Sequence, residues 1–229
     1  MHSRKDYWND ALQHLKKSDA VFAKILSSKI EIEEREQRTS FQALTRSIVG
    51  QQISTSAAAS VWKRVGEVCG GEVTPECVAA LDTTTLRSAG LSAQKTTYCK
   101  ALAQWFIDAH ISDSYFATHT FDEIHTALIA VPGIGHWTIH MFALFHLEMP
   151  DIWPTGDLGI QRALEMHYPE VEKKSKRLKG KKKEKMFMKA GLPFAPYRSV
   201  AALYLWRSLD TAPIAQKKKI VERTEKIKK

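Results

Sequence analysis

Apolar positions recur along the chain at three- and four-residue spacing, and alternating runs of β-branched residues are scarce. The pattern predicts an all-α fold. Ser18 is placed to cap a helix through DAVFAKIL, Ser40 one through FQALTRSIV, Ser54 one through TSAAASVWKRV and Ser92 one through AQKTTYCKALAQWFIDA. Gly50 and Gly90 stand where helices should stop. Thr120 and Glu123 have the spacing of a capping box for FDEIHTALIA, Asp157 opens LGIQRALEMHY, and Ser199 lies inside a last apolar helix ending near Trp206. No tandem repeat of solenoid type is visible.

At 229 residues the chain can form one compact domain or two small helical lobes with a cleft between them. Three cysteines, Cys69, Cys77 and Cys99, lack metal-ligand spacing and are expected to be buried, structural thiols in a reducing compartment. The opening MHSRKDYWND has no apolar signal core and no stretch has the length of a membrane span, so an intracellular protein, cytoplasmic or nuclear, is expected. A net charge of +9 and a pI near 9.4 favour a polyanionic partner. Much of that charge lies in a basic insertion at about 172–189 and a basic tail at about 216–229. The ordinary reading of such runs is a solvated loop and a frayed tail, and removing the tail should then leave activity largely intact.

Two segments carry candidate chemistry. In VPGIGHWT, residues 131–138, Pro132 fixes the start of a turn, Gly133 and Gly135 permit positive φ, and a helix begins near His136. The first N–H groups of such a helix and the positive end of its dipole can hold a DNA phosphate without a cationic side chain. The same residues would also serve as a plain turn between packed helices. Further on, IWPTGDLGIQRAL uses Pro154 and Gly156 to deliver Asp157 to a helix N-terminus, where N–H groups favour the charged form of a carboxylate. Alone, Asp157 would read as an N-cap.

Taken in order, SIVGQQISTSAAASVWKRV, VPGIGHWTIHMFALF, PTGDLGIQRAL and FAPYRSVAALYLW resemble the helix-hairpin-helix (HhH-GPD) DNA glycosylases, and within them the 3-methyladenine DNA glycosylase II group. The resemblance spans roughly residues 18–207 and implies that 1–229 is one glycosylase region of two helical subdomains. It implies duplex DNA bearing damaged bases as partner, a monomer, and hydrolysis of the N-glycosidic bond of alkylated purines in base excision repair. Asp157 is the implied catalytic carboxylate. Where strand-cutting relatives carry a lysine that forms a Schiff base, this chain has Trp137, so a monofunctional enzyme without lyase activity is implied. The resemblance assigns the base pocket to Trp137, Trp206, Met141, Gln51 and Leu158, and the wedge that fills the vacated stack to Gln52 with Ile53 alongside. It assigns DNA-backbone contacts to Gly133, Gly135, His136 and Thr138. A monovalent cation, Na+ or K+, on the backbone carbonyls of Ile129, Val131 and Ile134 is a further implication. An iron–sulphur cluster is not, because only three cysteines exist and none follows Cys99.

Leu158 follows the aspartate and Met141 stands where certain relatives have an aromatic residue, so the lesion range stays open. Two rivals remain at this stage: a non-catalytic hairpin module that binds branched or damaged DNA, and a glycosylase for deaminated or mismatched bases.

Overall fold

The computed structural model describes residues 4–28, 30–32 and 36–211; the basic tail lies outside them. All regular structure among these residues is helical, as the spacing predicts. The chain divides into two compact units, one formed by residues 36–147 and the other by the segments on either side. No helix among the described residues is long and apolar enough to cross a membrane.

The first unit contains α3 (Ser40–Gly50), α4 (Thr55–Val68), α5 (Pro75–Ala80), α6 (Thr83–Ser88), α7 (Ala93–Asp108), α8 (Asp113–Thr118), α9 (Phe121–Ile129) and α10 (His136–Phe145). Its centre is α7, against which α3, α5 and α6 pack. Leu44, Ile48, Leu86, Leu102, Ile124, Leu128, Ile139 and Leu144 are fully buried there, each worth about 1.5–3 kcal/mol in burial. Phe41, Phe106, Phe116 and Phe142 form a chain of ring contacts at 5.0–6.1 Å. Helix α10 is buried on several sides, as six of its ten residues are inaccessible.

The second unit contains α1 (Arg4–Ser18), α2 (Ala20–Ser27), α11 (Leu158–His167), α12 (Pro169–Ser175), α13 (Gly180–Ala190), a 3-10 turn at Leu192–Phe194 and α14 (Arg198–Thr211). Leu15, Phe22, Ile160, Phe187, Phe194, Val200, Ala201 and Leu205 make its core. The two chain segments of this unit are joined at α1, where the Arg4 backbone N–H donates to Glu148 Oε2 at 2.8 Å and the Tyr7 hydroxyl to the Glu148 carbonyl at 2.8 Å.

Several local expectations hold and several shift. Ser54 and Ser92 cap α4 and α7, and Thr120 with Glu123 closes a capping box on α9. Ser18, however, ends α1, and the cap of α2 is Asp19, whose carboxylate accepts from Phe22 N at 2.7 Å. Ser40 is likewise the first helical residue of α3, capped by Thr39 with Gln42 as its box partner. In both places two cap-competent residues are adjacent, and hydropathy cannot rank them. The insertion is no solvated loop: it folds as α12 and α13, α12 burying Val171 and Ser175 at i, i+4 and α13 burying Phe187. The last helix runs five residues past Trp206, to Thr211. Of the cysteines only Cys99 is fully buried; Cys69 and Cys77 are half-buried. Burial pushes the Cys99 thiol up to about 12, against the opposing charge of Lys95, and burial with a hydrogen bond to Cys77 does the same for Cys69.

Candidate active site and hairpin

In the first unit α9 ends at Ile129 and a tight turn follows, closed by Ile134 N donating to Val131 O at 3.1 Å. Pro132 and Gly133 occupy its centre, and Gly133 has φ +87, the signature of a type II turn. A side chain is excluded there twice over, since a Cβ on Gly133 would lie 2.4 Å from the Tyr98 ring. Gly135 differs from expectation. It is the N-cap of α10 with φ −108 and ψ 170, backbone that any residue adopts, and a Cβ on it would meet nothing within 4 Å. Its value is bare backbone facing open space, with no side-chain cap on the first N–H groups of α10.

His136 and Trp137 are exposed on the first turn of α10, the indole to 52%, whereas Thr138 and Met141 are buried. Any phosphate contact at Thr138 is therefore a main-chain one. His136 is held from α9, with its Nδ1 2.8 Å from His125 Nε2, and its carbonyl accepts from His140 Nδ1 at 2.7 Å. Burial holds His140 below the usual histidine range, opposed by that carbonyl bond.

The turn after α3 faces two ways. Gln51 folds back, its Nε2 donating to the Gly133 carbonyl at 2.9 Å, and so ties this turn to the hairpin. Gln52 and Ile53 project outward, both exposed. The chain reverses not at Gly50, which remains the last helical residue of α3, but at Gln52, a non-glycine residue at φ +59. Lys95 on α7 secures the end of α3 by donating to Val49 O at 2.7 Å. Gly90 does stop α6, at φ +101.

In the second unit a loop from Glu148 carries Asp157 to the start of α11. Asp157 caps that helix, with Oδ1 accepting from Ile160 N at 3.0 Å and from Trp206 Nε1 on α14 at 2.7 Å. Gly159 makes this approach sterically feasible, since a Cβ there would lie 2.6 Å from Trp206 Nε1 and 3.0 Å from Asp157 Oδ1. Gln161 Nε2 donates back to Thr155 O at 2.7 Å, and Asp157 N donates to Pro154 O at 3.0 Å.

The other end of the loop is clamped from the start of α14. Arg198 grips Asp151 with two guanidinium donors, at 2.6 and 2.8 Å, and with its backbone N–H at 3.3 Å. The buried Ser199 hydroxyl donates to Met149 O and accepts from Ile152 N at 2.9 Å. Trp153, buried between these points, donates its indole N–H to the Phe187 carbonyl on α13 at 3.0 Å. One helix, α14, thus fixes both the start of the loop and its aspartate.

The sequence-derived residues fall into both units. Trp137, Met141, Gln51, Gln52, Ile53, Gly133, Gly135, His136 and Thr138 belong to the first, with the carbonyls of Ile129, Val131 and Ile134; Asp157, Leu158 and Trp206 belong to the second. Leu158 is 53% exposed on the first turn of α11. Sequence reasoning missed Arg198, Ser199, Trp153 and His125, whose partners lie 47, 47, 34 and 11 residues away. No spacing rule reaches across such distances. Gln51, which the resemblance assigns to the base pocket, has its amide bound to the Gly133 carbonyl. No group of three or more His, Cys, Asp or Glu side chains among the described residues could hold a metal ion.

Residues 45–188, more than half of the chain, match the HhH-GPD superfamily base excision DNA repair protein family. The DNA-3-methyladenine glycosylase 1 of Schizosaccharomyces pombe is 28% identical over 192 residues, covering 80% of each chain. A Bacillus subtilis relative is 27% identical over 177 residues, and there the chain spans 59% of the relative's length. Among solved structures, a DNA-3-methyladenine glycosidase of Bacillus halodurans superposes with TM-score 0.75 at 28% identity, over 86% of this chain and 88% of that one. A 3-methyladenine DNA glycosylase of S. pombe in complex with abasic DNA superposes with TM-score 0.73 at 25% identity, over 88% and 97%. With its glycine hairpin, its capped aspartate and this family match, the chain belongs to the HhH-GPD superfamily of base excision DNA repair proteins.

Proposed function

We propose that the protein is a monofunctional DNA glycosylase that hydrolyses the N-glycosidic bond of alkylated purines, of 3-methyladenine and 7-methylguanine type, in duplex DNA. One observation carries the reading: in a chain of this family, Asp157 is held at a helix N-terminus by the Ile160 N–H and the Trp206 indole. Alkylation at N3 or N7 makes the purine cationic, so its bond to C1′ breaks with the electron pair leaving on the base. Positive charge then develops on the sugar. A fixed carboxylate stabilises that charge and takes the proton of the water whose oxygen bonds to C1′. Free base and an abasic site result.

Trp137 stands where an imine-forming lysine would be needed, and an indole cannot supply that amine. Its exposed ring instead suits a cationic base by cation–π stacking. Trp206 has its N–H edge committed to Asp157, so it offers a base its face alone. Gln52 and Ile53 are the wedge, carried on the exposed turn after α3. The hairpin from Gly133 to Thr138 binds a backbone phosphate through N–H groups. The carbonyls of Ile129, Val131 and Ile134 are hard, neutral oxygen donors of the kind a monovalent cation takes. Ile129 ends a helix, where carbonyls lack intrahelical partners. A cation held there would supply positive charge beside the phosphate. The protein acts as a monomer on damaged duplex.

The test is a panel of duplexes, each bearing 3-methyladenine, 7-methylguanine, uracil, ethenoadenine or hypoxanthine, treated with protein and then with alkali. Cleavage of the alkylated purines is expected. Product from uracil or hypoxanthine alone would reassign the enzyme to deaminated bases, and no product anywhere would leave a DNA-binding module. Borohydride should trap no covalent adduct.

A further inference from the structure

The charge of this protein is distributed unevenly. Between Pro169 and Ala190 there are ten Lys and Arg against three Asp and Glu, and after Thr211 seven against two. What remains of the chain holds 17 cationic and 20 acidic side chains, so the body that carries the hairpin and Asp157 is net acidic. The net charge of that body gives a polyanion no long-range attraction.

Helix α13 organises the excess. At about 100° per residue, Lys181, Lys182, Lys185 and Lys189 fall within one arc of about 100°, and all four are exposed. None of the four pairs with a carboxylate among the described residues. The opposite side is fixed to the second unit. Phe187 is only 1% exposed, Lys183 reaches Glu165 at 3.8 Å, and the Phe187 carbonyl receives the Trp153 indole. Trp153 lies four residues before Asp157 on the catalytic loop. The lysine stripe therefore has a set position relative to that loop, and spans about 12 Å at 1.5 Å per residue, the rise of three to four base pairs.

We infer that the lysine face of α13 is a DNA-backbone anchor, which binds duplex phosphates beside the lesion and supplies the electrostatic affinity that the acidic body lacks. The chemistry fits the partner: strongly hydrated ammonium groups on long stems take phosphates as point charges, without sequence preference. The inference rests on DNA being the substrate, and its failure can be told apart from failure of the glycosylase reading.

The experiment uses the full chain and a fluorescent duplex, undamaged or carrying a stable abasic analogue, with affinity measured by anisotropy from about 50 to 200 mM KCl. Replacing Lys181, Lys182, Lys185 and Lys189 together by Gln should make the slope of log K against log salt shallower by about three to four and weaken binding at least about tenfold at the low-salt end. Replacing the same four by Arg should preserve the slope. As a control, K16Q/K17Q/K24Q removes exposed lysines of α1 and α2 and should leave the slope near that of the unchanged protein. An unchanged slope in the four-Gln protein, with its thermal midpoint retained, overturns the anchor; so does an equal loss in the control. Excision of 7-methylguanine by the unchanged protein is read separately. A slope made shallower by the four-Gln replacement, with no excision by the unchanged protein, would refute the glycosylase reading and still support the anchor.

Discussion

Two donors from different helices meet on one oxygen of Asp157: an amide of its own α11 and the indole of Trp206 on α14. Such a carboxylate is oriented before substrate arrives, as its proposed role in transition-state stabilisation requires. Asp157→Asn should abolish excision of alkylated purines while DNA affinity stays within about threefold, since phosphate contacts dominate affinity; single-turnover assays and anisotropy measure the two effects. Gly159→Ala tests the orientation itself. The added methyl would overlap Trp206 Nε1 and crowd Asp157 Oδ1, and a displacement of that order costs about 10–100-fold in rate. The loss should appear in the single-turnover rate, with affinity for an abasic-site duplex retained. Asp157 was legible in the sequence as a helix start after a Pro- and Gly-containing turn. Its second donor was not: Trp206 lies 49 residues away, and only the packing of α14 on α11 brings it close.

At the scale of elements, the hairpin separates two uses of glycine that a G-x-G pattern makes look alike. Gly133 is required by positive φ and by contact with Tyr98, so Gly133→Ala should destabilise the protein by about 2–4 kcal/mol. Gly135 sits in ordinary extended backbone with open space ahead of it. Gly135→Ala should keep its thermal midpoint within a degree or two yet weaken duplex binding several-fold, because the methyl would stand in the path of the phosphate in the proposed complex; calorimetry and anisotropy together separate the two positions. Helix existence was readable throughout, because amphipathic spacing survives any tertiary arrangement. Caps were readable at Ser92, where one candidate stands alone, and at Ser54 despite its neighbour Thr55, but not where Ser18 and Asp19 or Thr39 and Ser40 compete. The insertion was misread because its lysines dominate composition while Val171 and Phe187, which decide its folding, are sparse.

On the scale of the whole molecule, residues 36–147 form one unit as an uninterrupted stretch, while the other unit needs both the segment before it and the segment after it. The bonds from α1 to Glu148 close separations of 144 and 141 residues. Contacts so far apart in sequence form slowly, since the intervening chain must be ordered or looped first. In refolding followed by pulsed hydrogen exchange, amides of α7 and α10 should therefore gain protection before those of α11 and α14; simultaneous protection would remove the distinction. The same topology sets an order during synthesis, which proceeds from the N-terminus. When the ribosome has released residue 147, the half bearing the hairpin is whole, whereas α1 and α2 still await their partners. A nascent chain thus completes the hairpin half before it possesses either Asp157 or the lysine face of α13, and messages truncated between these points would yield a half that carries the hairpin and neither of the other two.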